Sequence, residues 1–292
     1  MVVYATYPLN EPRVTREAEA LVAAGFDVDV ICLRGDGEPL HAWHRGVEIH
    51  RVPVPIDKRS LGWQMLSYVR FLSRATVRLG RLHTRHPYRT VQVHNLPDFL
   101  VFCAVVPKLD GVPVLLDLHD LMPEFFAGKF GEGRLLPWAI RLQERASCRF
   151  ADHVITVSDA WRAALAERGV DPRKCSVVMN VADDRIFGPR PRPAPHEGFR
   201  LIYHGQVTRR YGLDVAVRAV ASLRDEVPGI HLTIRGRGDQ VDELRALIRE
   251  LDASDLVELC QESVPAEELP GIISAADLAV VPYRDDVFTD GI

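Results

Sequence analysis

The sequence predicts an α/β protein of two doubly wound domains, each a parallel sheet flanked by helices. Three observations predict it. Short β-branched runs alternate with amphipathic stretches along the chain, the mark of βαβ units with right-handed crossovers. The alternation breaks once, at Gly188-Pro189-Arg190-Pro191-Arg192-Pro193-Ala194-Pro195, and restarts after it. The chain has 292 residues, and one hydrophobic core seldom grows past about 250–300 residues.

Strands in the first block are predicted at 2–6, 27–33, 47–52, 90–94, 112–118, 153–157 and 176–179, and helices at 14–24, 61–85, 99–109, 135–150 and 160–168. The prolines of the break can continue neither a helix nor a central strand, so it reads as a stiff linker. The second block carries strands at 200–204, 231–235, 256–260 and 278–282, with helices at 213–225, 240–251 and 267–275. The expected organisation is a Rossmann-like domain over 1–187, a linker over 188–198 and a second Rossmann-like domain over 199–292. The second is expected to be incomplete, because the sequence stops at Ile292 soon after a strand and without a closing helix.

A formal charge of −4 argues against a nucleic-acid partner. Cys32, Cys103, Cys148, Cys175 and Cys260 are scattered and never form Cys-x-x-Cys, as expected of reduced thiols in the cytoplasm. The longest apolar run, near 99–106, falls well short of the roughly 20 residues of a bilayer span. Met1-Val2-Val3-Tyr4 enters a strand directly, without the basic and apolar regions of a signal peptide.

Ligands of open α/β sheets bind beyond the carboxyl ends of the strands. The first strand leads into Tyr7-Pro8-Leu9-Asn10-Glu11-Pro12-Arg13 and a helix N-terminus. Free N–H groups and Arg13 suit an anion there. A proline-shaped turn with a solvated arginine is the alternative, and both stay open. The fourth strand ends in His94-Asn95-Leu96-Pro97-Asp98, and the fifth in Asp117-Leu118-His119-Asp120-Leu121-Met122-Pro123-Glu124. Histidines and carboxylates at the ends of neighbouring strands form a polar cluster in which His119 can hold a substrate hydroxyl and a carboxylate can set its tautomer. Asp120 as a plain helix cap is the competing reading. A metal is not expected, since no helical His-x-x-x-His or cysteine pair accompanies the cluster. Asn180, after the seventh strand, either lines a cleft or begins the linker.

In the second block the first strand runs into His204-Gly205-Gln206-Val207-Thr208-Arg209-Arg210-Tyr211-Gly212. Gly205 lets a phosphate approach the backbone, and Arg209 and Arg210 can clamp a diphosphate with forked donors. A solvated basic turn is the alternative. Gly236 in Arg235-Gly236-Arg237-Gly238 also permits close backbone approach. No Gly-x-Gly-x-x-Gly follows any strand, which argues against a dinucleotide dehydrogenase. Asp27-Val28-Asp29 reads as the outward face of a strand rather than a metal pair. Arg70, Arg74, Arg78, Arg81 and Arg85 share one stripe of a helix whose opposite side carries Met65, Leu72, Leu79 and Leu82. The stripe is a solvated face or a contact with an anionic membrane surface.

Taken in order, the Pro-Arg-Val turn, the 94–98 run, Asp-x-His-Asp with Pro123-Glu124, the Asn180 loop and the run from His204-Gly205 to Tyr211-Gly212 resemble family 4 glycosyltransferases of the GT-B fold. The resemblance covers essentially the whole chain. It implies two facing Rossmann-like domains, with the acceptor bound by the first and the nucleotide sugar by the second. It implies transfer with retention and no bound metal or cofactor, the acceptor being a glycan, lipid or small molecule in cell-surface polysaccharide or glycoconjugate synthesis. His119, Asp120 and Arg210 would be the catalytic residues. Gly205, Arg209, Arg210, Gly236, Asn10 and Arg13 would meet the donor phosphates, and His94, Asn95, Asp117, Glu124 and Asn180 the acceptor side. A cytoplasmic protein, peripheral on the inner membrane face through the arginine stripe, is the expected setting. The sequence departs from the family at Gln206, where arginine is usual, and at Tyr211, where lysine is usual. The family's Glu-x7-Glu element would follow Tyr283-Arg284-Asp285-Asp286, and the sequence runs to Ile292 without it. A non-catalytic binding or scaffold protein of the same fold, and a nucleotide-sugar epimerase using Asp117 and Glu124, are the alternative readings.

Overall fold

The computed structural model describes residues 1–8, 11–55, 60–123, 135–190, 196–262 and 264–284. Its contacts divide the chain into two compact units, Met1–Val181 and a second that begins at Ala182. Residues 191–195 of the proline-rich run lie outside the described residues.

The first unit runs β1 (Val2–Thr6), α1 (Pro12–Ala23), β2 (Val28–Leu33), β3 (His41–His44), β4 (Val47–Val52), α2 (Leu61–Arg85), β5 (Val91–His94), a 3-10 segment (Asp98–Ala104), α3 (Val105–Leu109), β6 (Val114–Leu118), α4 (Leu135–Phe150), β7 (His153–Thr156), α5 (Asp159–Glu167) and β8 (Cys175–Val177). The sheet order is β3-β4-β2-β1-β5-β6-β7-β8, parallel except for β3 against β4. Helices cover both faces, so central strands are buried on both sides and read as continuous apolar runs. Val14 and Ala18 of α1 pack on Val3, Val30, Cys32 and Ile49. Phe71, Ala75 and Leu79 of α2 pack with Leu100, Val101 and Leu116 in the larger core. Phe71, wholly buried, contributes roughly 1.5–3 kcal/mol by leaving water.

Several elements depart from expectation. The edge strand β3 is absent from the sequence reading. Arg45 and Gly46 both take left-handed conformations, φ 48° and 83°, and so make the two-residue turn whose twist suits a hairpin. An Arg-Gly pair is not among the usual signals for that turn. The helix expected over 99–109 is a 3-10 segment followed by one α turn, α3, containing Pro107, which has no N–H to bond the preceding turn. In α2, Ser60 caps the N-terminus, accepting from Trp63 N, and Phe71, Ala75 and Leu79 face inward at spacings of four. Met65 does not join them. It is exposed together with Trp63, Leu66, Val69 and Val77. Arg70, Arg81 and Arg85 face solvent, Arg78 is half-buried, and Arg74 folds back to donate to the Pro53 carbonyl. No helix among the described residues is long and apolar enough to cross a membrane.

The second unit runs β9 (Phe199–His204), a 3-10 turn (Arg209–Tyr211), α6 (Leu213–Ser222), β10 (Ile230–Arg235), α7 (Val241–Glu250), β11 (Val257–Cys260), α8 (Leu269–Ser274) and β12 (Leu278–Ala279). All its strand pairs are parallel, in the order β11-β10-β9-β12. Leu213, Val217 and Val220 of α6 and Val241, Leu244 and Ile248 of α7 bury against Leu232 and Ile234 of β10. In each sheet the strand order reverses direction at one place, between β1 and β5 in the first and between β9 and β12 in the second. Such reversals open a crevice at the carboxyl ends of the strands.

Candidate active site

The reversal in the first unit holds a recess of about 280 Å³ lined by Val3, Tyr4, Glu11, Gln64, Tyr68, Asn95, Leu96, His119 and Asp120. These residues come from β1, the start of α1, α2, and the turns after β5 and β6, the convergence that switch-point geometry requires. Asn95 organises the floor. Its Oδ1 accepts from the backbone N–H of His119 at 3.1 Å and of Asp120 at 3.4 Å. Its Nδ2 donates to Asp98 Oδ1 at 3.0 Å and to the Asp120 carbonyl. At 2% exposure, Asn95 is a positioning residue for the His119–Asp120 turn and not a surface for acceptor.

His119 is held neutral. Burial lowers its imidazole to about 4; Asp117 opposes that shift, and His94 and Arg13 reinforce it. A neutral ring offers one N–H donor and one acceptor, the pair a sugar hydroxyl needs. Glu11, at the N-cap position of α1, makes no capping bond there and lines the recess instead. Burial raises its carboxyl to about 6; His94 opposes this, while Asp120 and Asp117 add to it. The sequence reading passed over Glu11, Tyr4, Gln64 and Tyr68. The available signal for Glu11 was a carboxylate just before a proline-started helix.

Beneath the recess lies an ionic support that corrects three expectations. Arg13, expected to meet phosphate, is 4% exposed. Its Nε donates to Asp117 Oδ2 at 2.8 Å, one Nη to Oδ1 at 3.1 Å and the other to the Val178 carbonyl at 3.0 Å. Its charge is therefore satisfied by protein. Asp117 and His94 have no solvent exposure, so neither meets an acceptor directly. His94 Nδ1 lies 3.1 Å from Asp117 Oδ2. Burial alone would raise the Asp117 carboxyl, but His94 and the Arg13 fork outweigh it and hold it below the usual carboxylate range. Glu17 extends the support, accepting from Gln92 Nε2 at 2.7 Å and lying 3.2 Å from Arg13 Nε. His94, Asp117 and His119 bring donor atoms within 4.8 Å of one another. They do not suit a cation, because the Arg13 guanidinium already faces both oxygens of Asp117. Asn180 is exposed and accepts from Arg16 at 2.7 Å. Asn10 and Glu124 lie outside the described residues.

The reversal in the second unit gathers the turn after β9. Arg209 is exposed and paired with Glu243 at 2.8 Å. Arg210 is half-buried, and its carbonyl accepts from Arg284 N at 2.9 Å. Tyr211 packs on Tyr283 with ring centroids 4.7 Å apart, and Arg284 pairs with Asp214. The segment after β12 thus holds the arginine turn in place. Gly205 is exposed, but its N–H already donates to the Arg235 carbonyl at 3.0 Å, so the turn does not offer that group to a phosphate as expected. Gly236 differs from expectation: a Cβ there would lie 1.8 Å from the Gly205 carbonyl oxygen. Its close approach is to the neighbouring loop of the protein, not to phosphate. Asp29 also differs, since its carboxylate is not a solvated strand face. It accepts from Tyr88 and lies 3.7 Å from His50 Nε2.

Residues 11–180 match the family described as the glycosyl transferase 4-like domain, and residues 185–289 match glycosyl transferases group 1. A putative colanic acid biosynthesis glycosyltransferase, WcaL, of Escherichia coli is 29% identical over 134 residues, covering 46% of this chain and 33% of its own length. A D-inositol 3-phosphate glycosyltransferase of Pseudarthrobacter chlorophenolicus is 25% identical over 290 residues, covering 93% of this chain and 67% of its own. The chain therefore spans about a third of the first relative and about two thirds of the second. Sucrose-phosphate synthase from Thermosynechococcus elongatus superposes with a TM-score of 0.72 at 18% identity, covering 98% of this chain and 76% of that one. HepE from Anabaena, solved with UDP, superposes with a TM-score of 0.63 at 14% identity, covering 97% and 74%. The fold is that of GT-B glycosyltransferases, and the chain belongs to the glycosyl transferase 4-like family.

Proposed function

We propose that the protein moves a sugar from a nucleotide-sugar donor to an acceptor hydroxyl with retention of anomeric configuration. The observation that carries this is a neutral His119 presented, with Glu11 and Asp120, in a recess at the strand-order reversal of the first unit. His119 holds a hydroxyl of the transferred sugar. Asp120 lies beside it, and Glu11 accepts from the acceptor hydroxyl once ionised. Arg210 and Arg209 bind the diphosphate and stabilise the charge that grows on it as the glycosidic bond breaks. No metal takes part in this scheme, since guanidinium groups carry the countercharge. Residues 1–187 serve the acceptor side, 199–292 the donor side, and 188–198 join them. The relatives named for colanic acid biosynthesis and for D-inositol 3-phosphate glycosyl transfer favour a role in polysaccharide or glycoconjugate assembly.

Titration with UDP and ADP tests the donor half. We expect saturable binding that Arg210→Ala weakens. Absence of a thermal shift at millimolar concentrations of both nucleotides would count against the reading. The exposed side of α2 supports a peripheral setting, because Trp63 and Leu66 are exposed near Arg70, and Val77 near Arg81. Aromatic and aliphatic groups flanked by arginines suit an anionic lipid surface.

A further inference from the structure

Far from the recess along the sheet, three strands bring histidines and carboxylates to one face at the edge. His41 lies on β3, Glu48 and His50 on β4, and Asp29 on β2. The registers set this up: His41 is directly opposite His50, and Asp29 directly opposite Glu48. Glu48 and His50 are two residues apart on one strand and so share a face. His41 Nε2 is 2.7 Å from Glu48 Oε1, and His50 Nε2 is 3.6 Å from the same oxygen.

His50 is the unusual member. It is 4% exposed, yet among the described residues its Nε2 has no partner within hydrogen-bond distance. A buried polar atom left in this way is costly, and native structures rarely keep one without a ligand or a water to satisfy it. This nitrogen points between two carboxylates, 3.6 Å from Glu48 and 3.7 Å from Asp29. One donor atom each from His41, Glu48 and His50 falls within 4.8 Å of the others.

We propose that His41, Glu48 and His50 form a binding site for a divalent transition-metal ion of the zinc type. Two imidazoles and a carboxylate are ordinary zinc ligands, with bonds of about 2.0–2.2 Å. Tetrahedral geometry at those lengths places ligand atoms roughly 3.3–3.5 Å apart. The His50–Glu48 separation of 3.6 Å is already near that spacing, and the 2.7 Å His41–Glu48 contact needs to open by less than an ångström. His41 is on the outermost strand and half exposed, so it can swing to the ion without disturbing the core. Asp29, tied to Tyr88, is placed to orient the far side of the cluster or to supply a fourth oxygen. The ion would join the edge strand β3 to β4, an edge that is otherwise a site for unwanted strand pairing. The site shares no residue with the recess and does not depend on the proposed transfer activity.

The test is calorimetric titration of chelator-treated protein with ZnCl2, repeated with CoCl2 and visible spectroscopy. We expect one ion per chain, and cobalt bands of tetrahedral type without thiolate charge-transfer absorption. His41→Ala removes an edge ligand and Glu48→Gln is isosteric, so both variants fold. Each is expected to weaken zinc binding by about tenfold or more, the size that even indirect losses at metal sites reach. His119→Ala leaves it unchanged. The proposal is overturned by absence of zinc and cobalt binding, by binding that survives both His41→Ala and Glu48→Gln, by binding lost in His119→Ala, or by a thiolate signature pointing to the cysteines.

Discussion

Replacing Arg13 with methionine removes the cation from beneath the recess while keeping most of its volume. Three hydrogen bonds are lost, two of them to a carboxylate with no solvent exposure. Breaking a buried pair from one side costs about 3–5 kcal/mol, because the remaining charge stays buried and loses its guanidinium, keeping His94 alongside. That is a large share of the roughly 5–15 kcal/mol that holds a domain together. With a urea slope near 2 kcal/mol/M, the midpoint should fall by about 2 M. Trp43, Trp63, Trp138 and Trp161 are the only tryptophans, and all lie in the first unit, so their fluorescence reports that unit alone. The pH dependence has a definite sign. In the native protein Asp117 titrates below its unfolded value, so its contribution is full above that value and is lost as pH falls through the lower folded value. Without Arg13 the buried carboxylate takes up its proton at a higher pH than in the native protein, so the deficit should shrink on acidification. Adding Asp117→Asn to Arg13→Met should recover part of the loss. The reasoning is refuted if Arg13→Met stays within about 1 kcal/mol of wild type, or if the double variant is as unstable as the two single losses summed.

Other consequences can be measured separately. Glu11 titrates near 6, so transfer should rise with pH through that region as the carboxylate ionises, and Glu11→Gln should flatten the limb; an unchanged limb assigns it elsewhere. Arg210→Ala should weaken UDP binding by about 10–100-fold, the cost of a charged hydrogen bond, whereas Arg209→Ala, already paired with Glu243 at the surface, should weaken it less. Gly236→Ala drives a Cβ into the Gly205 carbonyl and should lower thermal stability, while Gly271→Ala, with open space around its Cβ, should not. Co-sedimentation should show binding to anionic vesicles that salt weakens; equal binding to neutral vesicles would contradict an electrostatic role for the α2 arginines.

What could be read from the sequence follows from what is local. Strands such as Val2–Thr6 and Val114–Leu118 announce themselves because strands packed between helix layers are rich in apolar residues. Ligands of open α/β sheets gather at strand ends, and so His119 and Asp120, which line the recess, could be singled out from the sequence. The partner of Arg13 could not, because Asp117 is 104 residues away and only the parallel sheet brings the two together. A charged residue at a helix start looks the same whether it faces phosphate or a buried carboxylate. Gly236 shows the same limit, since a glycine at a strand end permits close approach by a ligand or by another loop. Edge strand β3 escaped notice because neither its residues nor its Arg-Gly turn fit the usual hairpin pattern, and the cluster of His41, Glu48 and His50 was hidden with it.

Product analysis on a panel of nucleotide sugars tests the central claim most directly, with the released nucleoside diphosphate quantified and the anomeric centre of the product read by NMR. The account predicts release coupled to a glycoside that keeps the donor's configuration, with the rate sharply reduced in both His119→Ala and Arg210→Ala. An inverted product, or turnover that survives both substitutions, would contradict it.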